Sequence, residues 1–247
     1  MVDLGAAYVE VQDRWVAVMT SLPAEELART VPACPEWTVQ DVFAHHVGVM
    51  ADVSTGSLGE LGDPMRLLDQ WRDAEVARDR DTLTAREVAE RRGRSVAELV
   101  DEWRAATAVV APAMSGQAPM PGGLSPLIAS VLVNDIVVHE GDAREALGLE
   151  VAPEVAATSI ALGGYGGSLD LRLRQVGLPA ITFAYGDKTR VFGEGDPAVT
   201  VTADRTTLVR MLASRLVDEE IRALVWSGDP TPYLAVIPEY GPAHPQR

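Results

Sequence analysis

The sequence predicts an α+β protein with two parts, an N-terminal four-helix bundle and a small C-terminal α+β domain. Two observations predict this class. Up to about residue 150, apolar residues recur at the spacing of amphipathic helices. After Gly148, short alternating stretches typical of strands lie between helical ones. We therefore place the domains at residues 1–152 and 153–247.

The first two helices of the bundle are predicted from apolar spacing and a capping motif. Tyr8 and Trp15 belong to the apolar stripe of the first helix, which a proline turn in SLPAEEL ends. Thr38 then has the features of an N-cap residue, with Asp41 three residues later in the arrangement of a capping box. We expect the helix that begins there to continue to about Val53.

The remaining bundle helices follow a charged segment. Residues 64–94 are rich in both signs of charge, which predicts a solvated helix or pair of helices. Ser95 can cap the next long helix, which carries Trp103 on its inner side. A fourth helix is expected from about Ser125 to Leu147, ending at Gly148, a natural C-terminal glycine. Four long helices of this kind predict a bundle.

The C-terminal part alternates between strand and helix patterns. ITFAYGDKTRVF predicts a strand pair that turns at Gly186 and Asp187. AVTVTA predicts another strand, and Asp204 can cap the helix that follows it. The secondary structure of two segments stays undecided. IRALVWSG fits either a strand or a helix. The four glycines of GGYGG and its flanks weaken an otherwise helical pattern, and fit a hinge, a ligand contact or a plain loop.

Composition excludes several classes of protein. The 36 acidic and 21 basic residues give a formal net charge of -15, which repels phosphate backbones and anionic lipids. We therefore expect binding neither to nucleic acid nor to a membrane. The single cysteine, Cys34, excludes an internal disulfide framework and is interpreted as a packed residue. No secretory signal and no apolar run of membrane-spanning length is visible, so we expect a cytoplasmic protein, monomeric by default.

The fourth predicted helix carries the strongest functional signal. Its first half is almost wholly apolar, which indicates a buried helix, yet it contains Asp135, with His139 four residues later. Residues at i and i+4 share one helix face, and a buried carboxylate needs a compensating partner. A divalent metal bound by both residues is one such partner. A buried arginine or a tryptophan indole near Asp135 is the alternative.

Two adjacent histidines in the second predicted helix could supply a third ligand. His45 and His46 are half of the four histidines in the chain. Catalytic zinc sites commonly use three protein ligands and leave one position open, and two histidines with one carboxylate suit zinc or another divalent first-row metal. The apolar stripe places His46 near its centre and His45 toward its edge. His46 should be the more buried of the two, but the pattern leaves open which one is a ligand.

Three segments of the chain are similar to elements of one known family. CPEWTVQDVFAHHVG resembles a P-x-W-[ST]-x-x-D-[VL]-x-x-H-[LV] element, and DIVVHEGDAREALG resembles a [DE]-x-x-x-H-x-x-D-x-x-x-A-x-G element. Both occur in the mycothiol-dependent maleylpyruvate isomerase family, within the DinB-like metal-binding bundle superfamily. The C-terminal unit resembles the small sterol-carrier-like domain often appended there. The resemblance thus implies a DinB-like bundle at 1–152 and a sterol-carrier-like domain at 153–247.

The resemblance also implies a set of metal ligands. Carried over onto this chain, the ligands of a divalent metal, typically zinc, are His45, Asp135 and His139. His46 then occupies a position where the family has an aliphatic residue, so it belongs to the core or supports the ligands. Members with established isomerase activity have glutamate where this chain has Asp135, which argues against copying the isomerase activity directly.

Two further residues are candidates. Arg215, in LASRL, lies where the family often has Gly-Arg, although Ser214 replaces the glycine. The resemblance implies that Arg215 reaches the metal cleft as a catalytic residue and holds an anionic substrate bidentately; a surface arginine is the alternative. Asp142, one turn beyond His139, either orients that ligand or is a surface acid near Arg144.

Together these features predict an enzyme. We expect it to use a divalent metal, with zinc favoured, and a low-molecular-weight thiol such as mycothiol as cosubstrate. The reaction would be thiol transfer to, or isomerisation of, a small electrophilic substrate, since a metal with an open position deprotonates a coordinating thiol. The alternatives are a metal-dependent hydrolase with the same ligands, and a non-catalytic bundle that binds a small ligand or a partner. The sequence identifies neither the substrate nor the metal.

Overall fold

The computed structural model describes residues 2–63, 66, 73–241 and 243. The chain divides into two compact units, Met1–Ala152 and Pro153–Arg247. The first unit is mainly helical and the second combines helices with a sheet, which confirms the predicted α+β class. In the part of the chain that is described, no helix is both long enough and apolar enough to cross a membrane.

The first unit contains the elements that carry the predicted ligands. In chain order its described elements are α1 (Leu4–Ser21), α2 (Ala24–Leu27), β1 (Thr30–Val31), β2 (Cys34–Thr38), α3 (Val39–Thr55), α4 (Ala74–Ala89), α5 (Val96–Met114) and α6 (Leu127–Ala146). β1 and β2 form a small antiparallel sheet. Single turns of 3-10 helix lie at Gly59–Gly62 and Pro121–Gly123.

The long helices α1, α3, α5 and α6 form a four-helix bundle. α1 packs against α5 and α6, and α3 packs against the same two helices, which closes the ring. α4 lies outside this ring, against α3. It accounts for much of the segment predicted as solvated helix; residues 64, 65 and 67–72 of that segment lie outside the described residues.

Side-chain caps fix where the helices begin. Thr38 accepts a hydrogen bond from the Asp41 backbone N–H, and Asp41 accepts one from the Thr38 backbone N–H at 3.1 Å, which confirms the predicted capping box. α3 ends at Thr55, two residues later than expected, and is followed by Gly56, whose φ of 71° suits a C-terminal glycine. Ser95 caps α5 with a second capping box. The caps fix the first residue of each helix, and burial of its apolar stripe decides which side chains face inward.

The bundle core is aromatic near the predicted ligands. Trp15, Phe43 and Trp103 are fully buried and meet edge to face, with ring centres 5.1 to 5.8 Å apart. The Trp103 indole donates a 3.0 Å hydrogen bond to the Tyr8 hydroxyl. Edge-to-face packing of this kind locks the relative positions of α1, α3 and α5.

The second unit packs helices on a four-stranded sheet. Its described elements are α7 (Ala156–Val176), β3 (Ile181–Tyr185), β4 (Lys188–Phe192), β5 (Val199–Thr202), α8 (Arg205–Leu212), α9 (Asp218–Ala223), β6 (Val225–Trp226) and a 3-10 turn at Thr231–Tyr233. The strand order is β4-β3-β5-β6, with β3 parallel to β5 and the other pairs antiparallel.

Several local predictions for this unit can be compared with its structure. The strand pair turning at Gly186 and Asp187 is confirmed, as is the cap at Asp204, which accepts from the Thr207 backbone N–H. IRALVWSG contains both a helix and a strand, since it includes the end of α9 and then β6. The loop interpretation of GGYGG is wrong, because these residues lie inside α7.

Candidate metal centre

Helices α3 and α6 bring four potential metal ligands together. One donor atom from each of His45, His46, Asp135 and His139 lies within 4.8 Å of every other. Nε2 of His45 and Nε2 of His46 lie 3.8 and 3.6 Å from Oδ2 of Asp135. Nε2 of His139 lies 3.6 Å from Oδ1 of Asp135. The structure therefore groups the three residues that the family resemblance implies as ligands, and it adds His46.

The spacing of these donors suits a metal ion better than direct hydrogen bonds. Hydrogen bonds between nitrogen and oxygen span about 2.7–3.2 Å, shorter than the separations of 3.6 to 3.8 Å found here. Donors bound tetrahedrally at about 2.0–2.1 Å would be roughly 3.3–3.4 Å apart, close to what is observed. Imidazole and carboxylate donors are those that zinc and similar divalent metals use. The residues present thus fit the metal that the sequence implies.

Local structure explains why these side chains converge. α3 turns the side that carries Val42, Phe43 and Met50 toward the core, and His45 and His46 are buried with these residues, at 5% and 1% exposure. Asp135 and His139 lie one turn apart on the same face of α6. The side chain of Asp135 is 33% exposed, so it is less buried than the apolar pattern of its helix predicts. Solvent and small molecules can reach the cluster at this carboxylate.

A buried carboxylate on α4 orients His45. Oε2 of Glu87 lies 2.7 Å from His45 Nδ1, and the Glu87 side chain is 1% exposed. This contact leaves His45 Nε2 available to the cluster, the usual arrangement for a metal-binding histidine. Burial raises the pKa of Glu87, and the hydrogen bond with His45 opposes that rise. Gly48 permits the approach, because a Cβ there would lie 2.5 Å from the Glu87 Cβ.

Glu87 is a site residue that the sequence pattern does not predict. It belongs to the charged segment that the sequence predicts to be solvated. Its charged neighbours, such as Arg86 and Glu90, have the same sequence surroundings. Nothing in the local pattern separates this buried acid from the exposed ones. The contact joins residues 42 positions apart and depends on the packing of α4 against α3.

Asp142 has the corresponding place beside His139. Its Oδ2 lies 3.1 Å from His139 Nδ1 and its side chain is completely buried, so the surface-acid alternative is wrong. Cys34, on β2, also lies close, with donor atoms of Cys34, His139 and Asp142 within 4.8 Å of one another. Burial opposes a charge on the imidazole, but Asp142, Cys34 and Asp135 outweigh it and raise the pKa of His139 to about 10. Without a metal, His139 therefore carries a proton at neutral pH.

His46 is the most deeply buried member of the cluster. Its Nε2 has no hydrogen-bond partner among the described residues. Its ring packs edge-on against Trp15, with ring centres 5.0 Å apart. Burial lowers the pKa of His46 well below its ordinary value, so the ring is neutral and keeps a lone pair. His46 is more buried than His45, as the stripe predicts.

Arg215 belongs to the second unit, where it is buried rather than at the surface. Its guanidinium donates to the Ala213 carbonyl at 2.8 Å and lies 5.9 Å from the centre of the Tyr240 ring. Ser214 has a φ of 59°, a conformation that favours glycine. Glycine adopts this angle without strain, so the observed backbone is consistent with the Gly-Arg pattern that the resemblance implies here. The role of Arg215 toward a substrate stays a prediction.

Comparison with known proteins agrees with this architecture. A family model described as the mycothiol maleylpyruvate isomerase N-terminal domain matches residues 8–144. Two solved structures, of the mycothiol-dependent maleylpyruvate isomerase and of a histidine-to-alanine mutant of it, share 13% and 11% sequence identity with the chain. Each comparison covers 91% of both chains with a TM-score of 0.55, which at such identities shows a shared fold. No curated protein matches the chain.

The family match covers more than half of the 247 residues and includes the whole cluster, with Glu87 and Asp142. Of the two motifs that predicted the family, the first, at the start of α3, lies wholly inside the matched range, and the second lies inside it from Asp135 to Arg144, which includes His139 and Asp142. The chain belongs to the mycothiol maleylpyruvate isomerase N-terminal domain family.

Proposed function

We propose that this protein is a metal-dependent enzyme that uses a low-molecular-weight thiol, mycothiol or a close relative, to act on a small electrophile. The reaction is transfer of the thiol to that electrophile, or its isomerisation by addition and elimination of the thiol. Membership of a family named for a mycothiol-dependent isomerase supports the choice of thiol. The observation that carries the metal dependence is the cluster of imidazole and carboxylate donors within 4.8 Å of one another.

We assign two kinds of role to the residues of the site, metal ligands and carboxylates that support them. His45, Asp135 and His139 are the ligands that we assign to a divalent cation, with zinc as the first choice. When bound, such a cation supplies positive charge that stabilises the thiolate form of a thiol at neutral pH. Glu87 is hydrogen-bonded to His45 Nδ1, and the Asp142 carboxylate lies 3.1 Å from His139 Nδ1. A carboxylate on this side of each ring leaves Nε2 to the metal and strengthens that nitrogen as a donor.

Asp135 marks the accessible side of the site. Its carboxylate faces all three histidines of the cluster, and it is the cluster's most exposed side chain. We place the thiol and the electrophile on this accessible side, because the aromatic core closes the opposite side around His46. The shorter aspartate, where isomerases have glutamate, supports a substrate other than maleylpyruvate.

We assign residues 153–247 a sterol-carrier-like domain and Arg215 the task of holding an anionic group of the substrate. Both assignments rest on the family resemblance. Arg215 is suited to this task because its side chain is buried and packed beside Tyr240, so little freedom is lost on binding a carboxylate. The substrate class that follows is a small electrophile bearing a carboxylate.

The deciding experiment measures metal content and thiol dependence on protein purified without a histidine tag. Wild type should contain about one equivalent of a transition metal by elemental analysis. His139→Ala should contain none and keep its helical circular dichroism. As a matched control, Asp101→Asn changes an exposed acid and should retain the metal.

Activity is then followed with carboxylate-bearing electrophiles, maleylpyruvate among them, with and without mycothiol. The proposal expects turnover only when both the thiol and the metal are present. Turnover without thiol would identify a hydrolase instead. Absence of metal after reconstitution with zinc, nickel, iron and cobalt would refute the metal-dependent proposal and leave a binding protein.

A further inference from the structure

We propose that His46 is a fourth protein ligand, so that this chain holds its metal with three imidazoles and one carboxylate. The inference rests on the proposed function for the presence of a metal and deepens it by adding a donor. It departs from the family pattern, which implies three ligands and an aliphatic residue at position 46. The difference from that pattern is the histidine at position 46, and the evidence for its role is the position of its Nε2 atom.

The first observation is the unsatisfied nitrogen of His46. Its Nε2 is buried and has no hydrogen-bond partner within the described residues, in a side chain that is 2% exposed. Burying a polar atom without a partner is unfavourable, and native structures satisfy nearly all such atoms. A metal ion would satisfy this nitrogen. No described hydrogen bond does so.

The second observation is the position of that nitrogen. His46 Nε2 lies 3.6 Å from Oδ2 of Asp135 and within 4.8 Å of a donor atom of each other member of the cluster. His45 Nε2 lies 3.8 Å from the same oxygen, so the two adjacent histidines approach it equally closely. Both separations are too long for hydrogen bonds and leave the space that a shared ion needs. By distance, His46 is as good a ligand as His45.

Packing alone does not explain a histidine here. The His46 ring lies 5.0 Å from the centre of Trp15 and 6.2 Å from that of Trp103. A leucine or phenylalanine could make those apolar contacts without burying a polar nitrogen. What an aliphatic residue cannot do is offer a donor within 4.8 Å of the other three.

A fourth protein donor changes which metals leave room for a thiol. Zinc bound by four protein ligands is typically a closed, structural site, whereas catalytic zinc keeps an open position. Iron, cobalt, nickel and manganese accept five or six ligands and so keep positions open around three imidazoles and a carboxylate. With this fourth donor, the first choice of metal for a catalytic role therefore changes from zinc, which suits the three-ligand site, to a metal that expands beyond four ligands.

The test counts imidazoles in the intact protein. X-ray absorption of the metal-loaded wild type should require three imidazoles. The cobalt-loaded protein should show hyperfine-shifted proton resonances from three histidines. In His46→Leu both counts should fall to two, and the dissociation constant for the metal should rise by tenfold or more in competition with a chelator.

Phe43→Leu is the matched control. Phe43 lies on the same helix, is completely buried and packs against Trp15 at 5.6 Å, but offers no donor. It should reproduce the packing defect of His46→Leu while keeping three imidazoles and the wild-type dissociation constant. If His46→Leu does not fold, the count in the wild type decides alone.

The outcomes separate this inference from the proposed function. Two imidazoles in the wild type, or an unchanged dissociation constant in a folded His46→Leu, would overturn the fourth ligand and leave the three-ligand site standing. Three imidazoles in a protein without thiol-dependent turnover would support the fourth ligand and refute the proposed reaction. A wild type that binds no metal would refute both.

Discussion

Two of the three clustered imidazoles have a buried carboxylate at Nδ1. Oε2 of Glu87 lies 2.7 Å from Nδ1 of His45, and Oδ2 of Asp142 lies 3.1 Å from Nδ1 of His139. Such carboxylates fix the tautomer and the ring orientation, and they raise the basicity of the coordinating nitrogen. The two acids come from different helices, α4 and α6, so two separate parts of the fold support the site.

Replacing Glu87 with glutamine tests this support. Glu87→Gln keeps the shape of the side chain and an acceptor for His45 Nδ1 but removes the negative charge. We expect metal affinity to weaken by roughly 10–100-fold, the usual effect of losing such a partner, with the fold retained. Competition with a chelator measures the dissociation constant. Glu90→Gln, an exposed acid three residues later, is the control and should behave as wild type. Equal affinity in both variants would contradict the role of Glu87.

The raised pKa of His139 predicts a pH-dependent metal affinity. A pKa of about 10 means that the imidazole is protonated at pH 7 in the metal-free protein, whereas a ligand must be neutral. Binding therefore releases a proton, and affinity rises with pH, by up to about tenfold per unit, until the pH reaches that pKa. Calorimetry at pH 7 in buffers of different ionisation enthalpy gives the number of protons released.

Asp142→Asn supplies the matched comparison for this proton. Removing the carboxylate next to His139 should lower its pKa and reduce the proton release at pH 7, even if affinity also falls. Binding of the metal to wild type without proton release, or with the same affinity at pH 6 and pH 8, would show that His139 is already neutral.

The site residues could be predicted from the sequence only where their signals were local. The capping box of Thr38 and Asp41 places two histidines on α3, and the four-residue spacing of Asp135 and His139 places both on one face of α6. Glu87 had no such signal, because its burial depends on tertiary packing against Gly48.

At the scale of elements, α7 shows how packing overrides propensity. Each glycine in a helix costs about 1 kcal/mol relative to alanine, which is why the sequence left this segment open. The helix nevertheless runs through all four glycines, from Ala156 to Val176. Gly166 supplies one reason, because its missing side chain lets the Phe192 ring of β4 pack directly against the helix.

Two neighbouring glycines of α7 give a matched pair of variants. A Cβ at Gly166 would lie 2.3 Å from Cζ of the buried Phe192 ring, whereas a Cβ at Gly167 would have nothing within 4 Å. We expect Gly166→Ala to lower the free energy of unfolding by about 1–3 kcal/mol through overpacking. Gly167→Ala should raise it by up to about 1 kcal/mol through helix propensity. Urea unfolding measures both, and a stabilising Gly166→Ala would contradict the close packing.

At the scale of the whole molecule, the metal cluster lies entirely in one unit. His45, His46, Asp135 and His139, together with the supporting Glu87 and Asp142, belong to Met1–Ala152. This unit has its own aromatic core and contains the entire family match. Arg215 belongs to the other unit. The residues of the proposed metal site and the arginine proposed to hold the substrate anion thus belong to different units.

This division predicts the behaviour of a fragment comprising residues 1–152. Because every donor and both supporting carboxylates are present, we expect the fragment to fold and to bind metal with the stoichiometry of the full chain and a dissociation constant within a few-fold of it. Since it lacks Arg215, it should lose any preference for carboxylate-bearing over neutral electrophiles. Elemental analysis, chelator competition and paired kinetic assays measure these properties beside the intact protein. A helical, folded fragment that binds no metal would mean that residues 153–247 supply a required ligand, and the assignment of the centre to the first unit alone would be wrong.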